Sequence, residues 1–135
     1  MTALLDEPAL RELGFEMGTG LGPGAVVWLE GDLGAGKTTF AQALVLGLGA
    51  GVTATSPSFA LVHHYDGVRG PVYHVDCYRL KRFDEARDLD WDTLQHGAAL
   101  LIEWPERAGE WAPRPSRRVT LAHTPNPGVR RVDIA

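Results

Sequence analysis

Apolar residues recur along the chain with helical spacing in some segments and with strand spacing in others. The apolar positions of residues 8–19 fall on one helical stripe, and Pro8 suits the first turn of such a helix. The short apolar runs at 25–30 and 98–102 have the pattern of strands buried on both faces of a parallel sheet. Residues 37–48 are compatible with a further helix, which ends at a glycine-rich stretch.

Weaker patterns complete the order of elements. They predict strands at 59–65, 72–77, 117–123 and 129–134, and an acidic, weakly helical stretch at 83–94. The chain has 135 residues, no internal repeat and no linker, which at roughly 100–200 residues per domain indicates one domain over residues 1–135. The sequence therefore predicts a single α/β domain with a mixed, mainly parallel central sheet.

Composition excludes several classes of protein. The single cysteine, Cys77, excludes a disulfide framework and a cysteine-based zinc site. A net charge of −4 argues against a chain that coats nucleic acid by itself. No apolar run approaches the ~18 residues of a membrane span, and the N-terminus lacks the features of a signal peptide. We therefore expect a soluble, cytoplasmic protein without a membrane partner.

The most informative stretch lies between the first apolar strand and the helix that follows it. Its sequence, Gly-Asp-Leu-Gly-Ala-Gly-Lys-Thr at 31–38, fits the pattern G-x-x-x-x-G-K-[ST] of a P-loop. Glycines allow the backbone to turn successive N–H groups inward around an anion, and the helix N-terminus adds partial positive charge. The lysine can reach the β- and γ-phosphates, and the threonine hydroxyl can bind Mg²⁺. The predicted nucleotide-binding residues are Gly31, Asp32, Leu33, Gly34, Ala35, Gly36, Lys37, Thr38 and Thr39.

Two carboxylates are candidates for the chemistry that such a site needs. Glu103 follows the second apolar strand, at the carboxyl end where open α/β sheets bind ligands, and can hold a metal ion there. Asp76 shares one face of its predicted strand with His74. That face either reaches the phosphates or carries a hydrogen-bonded structural pair, and the pattern leaves both alternatives open. The hydroxyl-rich residues 55–58 form either a nucleotide switch loop or a plain Ser/Pro turn.

Four stretches of the chain, taken in order, resemble one known family. They are Gly-Asp-Leu-Gly-Ala-Gly-Lys-Thr-Thr at 31–39, Thr-Ser-Pro-Ser-Phe at 55–59, Tyr-His-Val-Asp-Cys-Tyr-Arg-Leu at 73–80 and Leu-Ile-Glu-Trp-Pro-Glu at 101–106. The sequence resembles the TsaE (also called YjeE) P-loop ATPases of bacterial tRNA threonylcarbamoyladenosine synthesis. Many families share the P-loop, whereas the last two stretches are much more specific. Ser58 stands where the family usually has threonine.

The resemblance implies a set of residue roles. It makes Lys37, Asp76 and Glu103 the catalytic residues, with Thr38 and Glu103 as ligands of Mg²⁺ and Asp76 near the γ-phosphate. The segment 55–59, which contains Ser56, would act as a switch I-like loop at the nucleotide. Trp104 would belong to the nucleotide or partner surface. By its position, the turn at 128–131 is expected at the outer edge of the nucleotide, with Gly128 as the binding residue.

The resemblance also implies cofactors and partners. The cofactors are ATP and Mg²⁺, and the reaction is hydrolysis of ATP to ADP and phosphate. In this family the ATPase works with a TsaB–TsaD pair, which transfers threonylcarbamoyl to an adenosine beside the anticodon, and ATP hydrolysis resets that complex. Contact with tRNA is expected to be indirect or weak.

Three alternative functions compete with this interpretation. A small-molecule or nucleoside kinase of the P-loop class would use the basic stretch 79–82 as a lid, although no lid-sized insertion is apparent. A GTP switch would need an Asn-Lys-x-Asp loop, which the sequence lacks. Sequence-independent RNA binding would use the arginine pairs at 117–118 and 130–131.

Overall fold

A computed structural model describes residues 1–50 and 62–135. Its strands are β1 (Thr2–Asp6), β2 (Ala25–Glu30), β3 (Val62–Gly67), β4 (Gly70–Asp76), β5 (Ala99–Glu103), β6 (Arg117–His123) and β7 (Val129–Ile134). Its α-helices are α1 (Glu7–Gly20), α2 (Lys37–Gly47) and α3 (Trp91–Gln95). Short 3₁₀ helices span Phe83–Asp88, Pro105–Arg107 and Gly109–Trp111.

The strands of this part form one seven-stranded sheet in the order β1-β7-β6-β2-β5-β4-β3. Parallel pairings join the central strands β4, β5, β2 and β6. Antiparallel pairings add β3 at one side and β7 and β1 at the other. Every residue of β5 is buried, as expected for a strand covered on both faces. The predicted α/β fold, with a mixed sheet that is parallel in its centre, is confirmed.

Apolar clusters cover both faces of the central strands. On one face, Leu29 of β2 packs in a cluster with Leu10 of α1 and Phe40 of α2. On the other face, the cluster includes Leu100 of β5 and Trp91 of α3. The two long helices approach closely because glycines line their contact. A Cβ atom added to Gly18 would lie 2.2 Å from the carbonyl oxygen of Leu44.

Most predicted elements are present at nearly the predicted positions, and two differ. The strand β1 was not predicted, because its alternation is short and its residues are at most half-buried. It becomes a strand by pairing with β7 from the other end of the chain. The acidic stretch 83–94 splits into a 3₁₀ helix and α3, since the carboxylate of Asp90 accepts a hydrogen bond from the backbone N–H of Thr93 and starts a new helix.

Two further predictions concern particular parts of the chain. The first strand of the predicted hairpin is described from Val62 onwards, because residues 51–61, which include the predicted switch-like loop at 55–59, lie outside the described residues. Within the described residues, no helix has the length and apolar character needed to span a bilayer.

Candidate functional site

The loop between β2 and α2 has a backbone that only glycine adopts readily. Gly31, Gly34 and Gly36 have φ angles of 146°, 75° and 105°. A Cβ atom at Gly31 would also lie 2.3 Å from the carbonyl oxygen of Leu121 in β6. Positive φ is costly for residues with a side chain, so the glycine spacing of the motif follows from the loop's shape. Gly36 is the N-cap of α2, so the loop leads into the positive end of that helix.

Lys37 is buried at the first position of α2 and points back across the loop. Its Nζ donates hydrogen bonds to the carbonyl oxygens of Gly31 and, at 2.9 Å, Asp32. The same Nζ lies 4.4 Å from the centroid of the Trp104 ring. Burial lowers the pKa of Lys37, and the nearby carboxylates, Glu103 first among them, oppose that shift. A cation is thus held inside the loop by backbone carbonyls.

Two carboxylates lie side by side at the edge of the sheet next to this loop. Asp76 ends β4 and Glu103 ends β5, and the two residues are register partners in the parallel pair. Glu103 is buried, and its Oε2 lies 2.7 Å from Nε2 of His74. Asp76 Oδ1 instead accepts from the backbone N–H of Tyr78 at 3.0 Å. His74 therefore pairs with Glu103 on the adjacent strand. Of the two alternatives that the sequence left open, a structural hydrogen-bonded pair between His74 and Asp76 is wrong.

The loop, the first turn of α2 and the two strand ends enclose a cleft of about 250 Å³. Most of the predicted site residues line it, whereas Ala35 is fully buried and is not part of the lining. Gly31 and Asp32 contribute through the carbonyls that hold Lys37. Ser56 lies outside the described residues. The lining residues are Leu33, Gly34, Gly36, Lys37, Thr38, Thr39, Asp76, Tyr78, Glu103 and Trp104.

The oxygen donors of this cleft fit a magnesium ion. Thr38 offers a hydroxyl, and Asp76 and Glu103 offer carboxylates. Mg²⁺ takes oxygen ligands, commonly one or two carboxylates together with water and phosphate oxygens. No group of three or more His, Cys, Asp or Glu side chains that could hold a metal occurs within residues 1–50 and 62–135. These donors would fit a metal ion whose remaining ligands are water and phosphate oxygens.

A second cleft, of about 280 Å³, lies on the other side of the loop. It is lined by Gly34, Gly36 and Thr39 of the loop and α2, by Glu7 and Leu10 of α1, and by Pro127, Gly128 and Arg130 of the turn between β6 and β7. The structure therefore brings Gly128 to the loop, although not to the cleft that Asp76 and Glu103 line. A ligand that follows the loop from one cleft to the other would meet this turn.

Sequence reasoning missed His123 and Tyr78 at the site, and it included Arg130 only as part of the turn at 128–131. The ring of His123 lies with Nε2 3.0 Å from the carbonyl oxygen of Leu33, and Arg130 donates to the carbonyl oxygen of Gly34 at 3.2 Å. Both belong to the β6–β7 hairpin, which is distant in sequence, so only the fold brings them to the loop. Tyr78 belongs to the motif at 73–80, but the sequence predicted no role for it. Its ring centroid is 5.1 Å from that of Trp104, which has a left-handed φ of 56°.

Fold and loop together define an α/β protein of the P-loop NTPase-like class. A family model described as "Threonylcarbamoyl adenosine biosynthesis protein TsaE" matches residues 4–132. The chain belongs to this TsaE family.

Curated relatives and a solved structure agree with this membership. Proteins named tRNA threonylcarbamoyladenosine biosynthesis protein TsaE are similar in Bacillus subtilis (43% identical over 73% of this chain and 62% of that protein) and in Treponema pallidum (38% identical over 90% of both). The match thus spans about 62% of the length of the Bacillus relative. The crystal structure of YdiB from Bacillus subtilis is similar with a TM-score of 0.78 and 29% identity, over 98% of this chain and 82% of that one.

Proposed function

We propose that the chain is the ATP-binding and ATP-hydrolysing subunit required for threonylcarbamoyl modification of an adenosine beside the anticodon of tRNA. One observation carries the proposal. In a member of the TsaE family, Lys37, Thr38, Asp76 and Glu103 all line one cleft beside a loop with P-loop geometry. Relatives named for threonylcarbamoyladenosine biosynthesis support this pathway over a metabolite kinase.

The loop supplies the binding of phosphate. Its left-handed glycines and the N-terminus of α2 present backbone N–H groups to an anion. The ammonium of Lys37 exchanges the carbonyl oxygens of Gly31 and Asp32 for the β- and γ-phosphates, which are better acceptors because they carry charge. Phosphate binding thereby offsets the cost of keeping this cation buried.

The strand ends supply the groups for hydrolysis. Thr38 and Glu103 would hold Mg²⁺, which, when bound, neutralises charge on the phosphates and orients them. Asp76, half-buried beside Glu103, would accept a hydrogen bond from the attacking water. Trp104 packs over Lys37 and closes one side of the cleft. The adenosine part would extend toward the second cleft, where Gly128 lies.

The proposed partners are a TsaB–TsaD-like pair in the cytoplasm, with tRNA contacted indirectly or weakly. Hydrolysis by the isolated chain is expected to be slow. A charge supplied by a partner is worth roughly 10³–10⁵ in rate at comparable sites. The described residues do place Arg107 near the cleft, but its guanidinium lies 4.8 Å from the centroid of the Tyr78 ring and donates to the carbonyl oxygen of Tyr78. It is engaged there as a packing group.

The test is steady-state ATP hydrolysis by the purified chain, alone and with a TsaB–TsaD pair. We expect a low rate alone, strong stimulation by the pair, and loss of the stimulated rate in Glu103→Gln and Lys37→Ala. Glu110→Gln is the matched control, because this exposed glutamate lies outside the cleft, and it should hydrolyse ATP like the wild type. Equal rates with and without the pair would contradict the proposed role in this pathway. Undiminished turnover in Glu103→Gln would remove the assigned site.

A further inference from the structure

The contact between His74 and Glu103 is the most buried polar pair in the part of the chain that the structure describes. The side chains of these residues are only 11% and 7% exposed, and Nε2 of the histidine lies 2.7 Å from Oε2 of the glutamate. Together with Lys37 they make up the buried polar or charged residues among residues 1–50 and 62–135. A pair withdrawn from water this far needs its hydrogen bond, because neither group has solvent as a substitute.

The direction of the hydrogen bond follows from the chemistry of the two groups. An ionised carboxylate only accepts, so Nε2 of His74 carries the hydrogen and donates it. Across the described residues, this is the one hydrogen bond made to the Glu103 carboxylate. The imidazole therefore fixes Oε2 and leaves Oε1 without a donor from the described part of the chain.

The sheet explains why this histidine reaches this glutamate. His74 is opposite Leu101 in the parallel pair, while Glu103 is opposite Asp76, two residues further along both strands. The two side chains share one face of the sheet because residues two apart on a strand point the same way. The ring of His63, on β3, lies 5.7 Å from that of His74 on its other side. His74 is thus packed between a ring and a carboxylate.

We propose that His74 is a positioning residue, which sets the orientation of the Glu103 carboxylate toward a magnesium ion bound with nucleotide. This proposal rests on the proposed function, since it takes Glu103 as a metal ligand. A partner that holds a ligating carboxylate removes its rotational freedom and so lowers the entropic cost of binding the metal. The role is one of orientation by a hydrogen bond and needs no change in the protonation of the ring.

The experiment measures magnesium dependence of nucleotide binding, with no turnover involved. A fluorescent, non-hydrolysable ATP analogue is titrated in the absence of Mg²⁺ and then at rising Mg²⁺ concentration. We expect His74→Leu to raise the Mg²⁺ midpoint by about 10- to 100-fold, the range found when groups that support a metal ligand are removed. Affinity for the analogue without Mg²⁺ should stay near the wild-type value, because His74 does not line the phosphate cleft.

Conservative and neighbouring variants separate positioning from a general structural effect. His74→Gln places an amide N–H near the position of Nε2 and should restore a midpoint close to wild type. His74→Asn stays polar but ends short of Glu103, so its midpoint should be raised even if His74→Leu fails to fold. His63→Leu changes the ring that packs on His74 without touching Glu103, and should leave the midpoint unchanged. Urea unfolding of each variant confirms that the folded state is compared.

The outcomes distinguish this proposal from the function on which it rests. An unchanged midpoint in His74→Leu or His74→Asn, beside a raised one in Glu103→Gln, would overturn the positioning role alone. Equal impairment of His74→Gln and His74→Leu would also overturn it, since the restored donor would then have no effect. An unchanged midpoint in Glu103→Gln would overturn the metal role of Glu103 and this proposal with it.

Discussion

Two glycine-rich loops flank β2, and they resemble each other in composition. Residues 20–24 precede the strand and residues 31–36 follow it, and each stretch contains three glycines. Each borders a cleft of about 250 Å³. The first loop joins the C-terminal end of α1 to the amino end of β2, with Ser116 and Arg117 beside it. The second joins the carboxyl end of β2 to the N-terminus of α2.

The difference between these loops lies in what surrounds them. A helix C-terminus exposes carbonyl oxygens, whereas a helix N-terminus exposes N–H groups and attracts anions. Because β2, β4 and β5 are parallel, their carboxyl ends also meet at one edge, which brings two carboxylates to the second loop. The buried polar residues among those described, Lys37, His74 and Glu103, all lie at this edge. Glycine content therefore does not mark the site, but the end of the sheet does.

The largest effect is expected from a substitution that disrupts the backbone geometry of the second loop. Gly31→Ala places a methyl group 2.3 Å from the carbonyl oxygen of Leu121, at a φ of 146° that alanine rarely adopts. We expect the free energy of unfolding to fall by about 3 kcal/mol or more, through steric overlap and backbone strain together. Urea denaturation measures this. A loss below about 1 kcal/mol would show that the loop tolerates a side chain here.

The next effect is expected from removing the buried cation of the second loop. Lys37→Ala would delete the proposed charge-assisted contact with phosphate, worth about 2–3 kcal/mol, so the affinity for ATP should fall by roughly 100-fold. Isothermal titration calorimetry with Mg²⁺·ATP measures the change. Arg117→Ala deletes the cation beside the first loop and serves as the control. If both variants lost affinity equally, the contrast between the two loops would be wrong.

A third effect concerns Cys77, which follows Asp76 at the carboxyl end of the parallel strands. Burial raises the pKa of the Cys77 thiol to about 12, against 9.0 for an exposed thiol. Above pH 9.0 the unfolded chain loses this proton first, so the stability that the neutral thiol confers is complete below pH 9.0 and falls through the window up to about pH 12. Between pH 8 and 10, the wild type should therefore lose about 1 kcal/mol of unfolding free energy relative to Cys77→Ala.

Urea denaturation of the wild type and Cys77→Ala at both pH values measures this difference, and effects of other groups cancel between the two proteins. A difference that stays constant with pH would contradict the burial of a neutral thiol at this edge.

The smallest effect is expected in the first loop. A Cβ atom added to Gly22 meets no atom within 4 Å. Gly22→Ala should stabilise the protein by roughly 0.5 kcal/mol, because alanine loses less backbone freedom on folding than glycine does. Urea denaturation should resolve the opposite signs of Gly22→Ala and Gly31→Ala. A large destabilisation in Gly22→Ala would mean that this loop, too, depends on glycine geometry.

Local sequence patterns were sufficient to predict the elements whose own residues show a clear apolar pattern. The buried strands β2 and β5 and the helices α1 and α2 were predicted near their observed bounds, since unbroken apolar runs and helical stripes reflect burial directly. The glycine positions of the loop at 31–36 were predicted from its motif, because a backbone with positive φ requires glycine at fixed places within a short stretch. By contrast, β1 has no strong pattern of its own, and pairing with β7 makes it a strand.

The sequence by itself determined the type of loop and the presence of Lys37, Thr38, Asp76 and Glu103, because each belongs to a short motif at the end of a predicted element. Only the tertiary structure decided that His74 bonds Glu103 rather than serving Asp76, and that His123 and Arg130 hold the carbonyls of the loop. The physical reason is strand order. The register between parallel strands and the position of the β6–β7 hairpin beside the loop set these contacts. They join residues far apart in sequence, so no local sequence pattern predicts them.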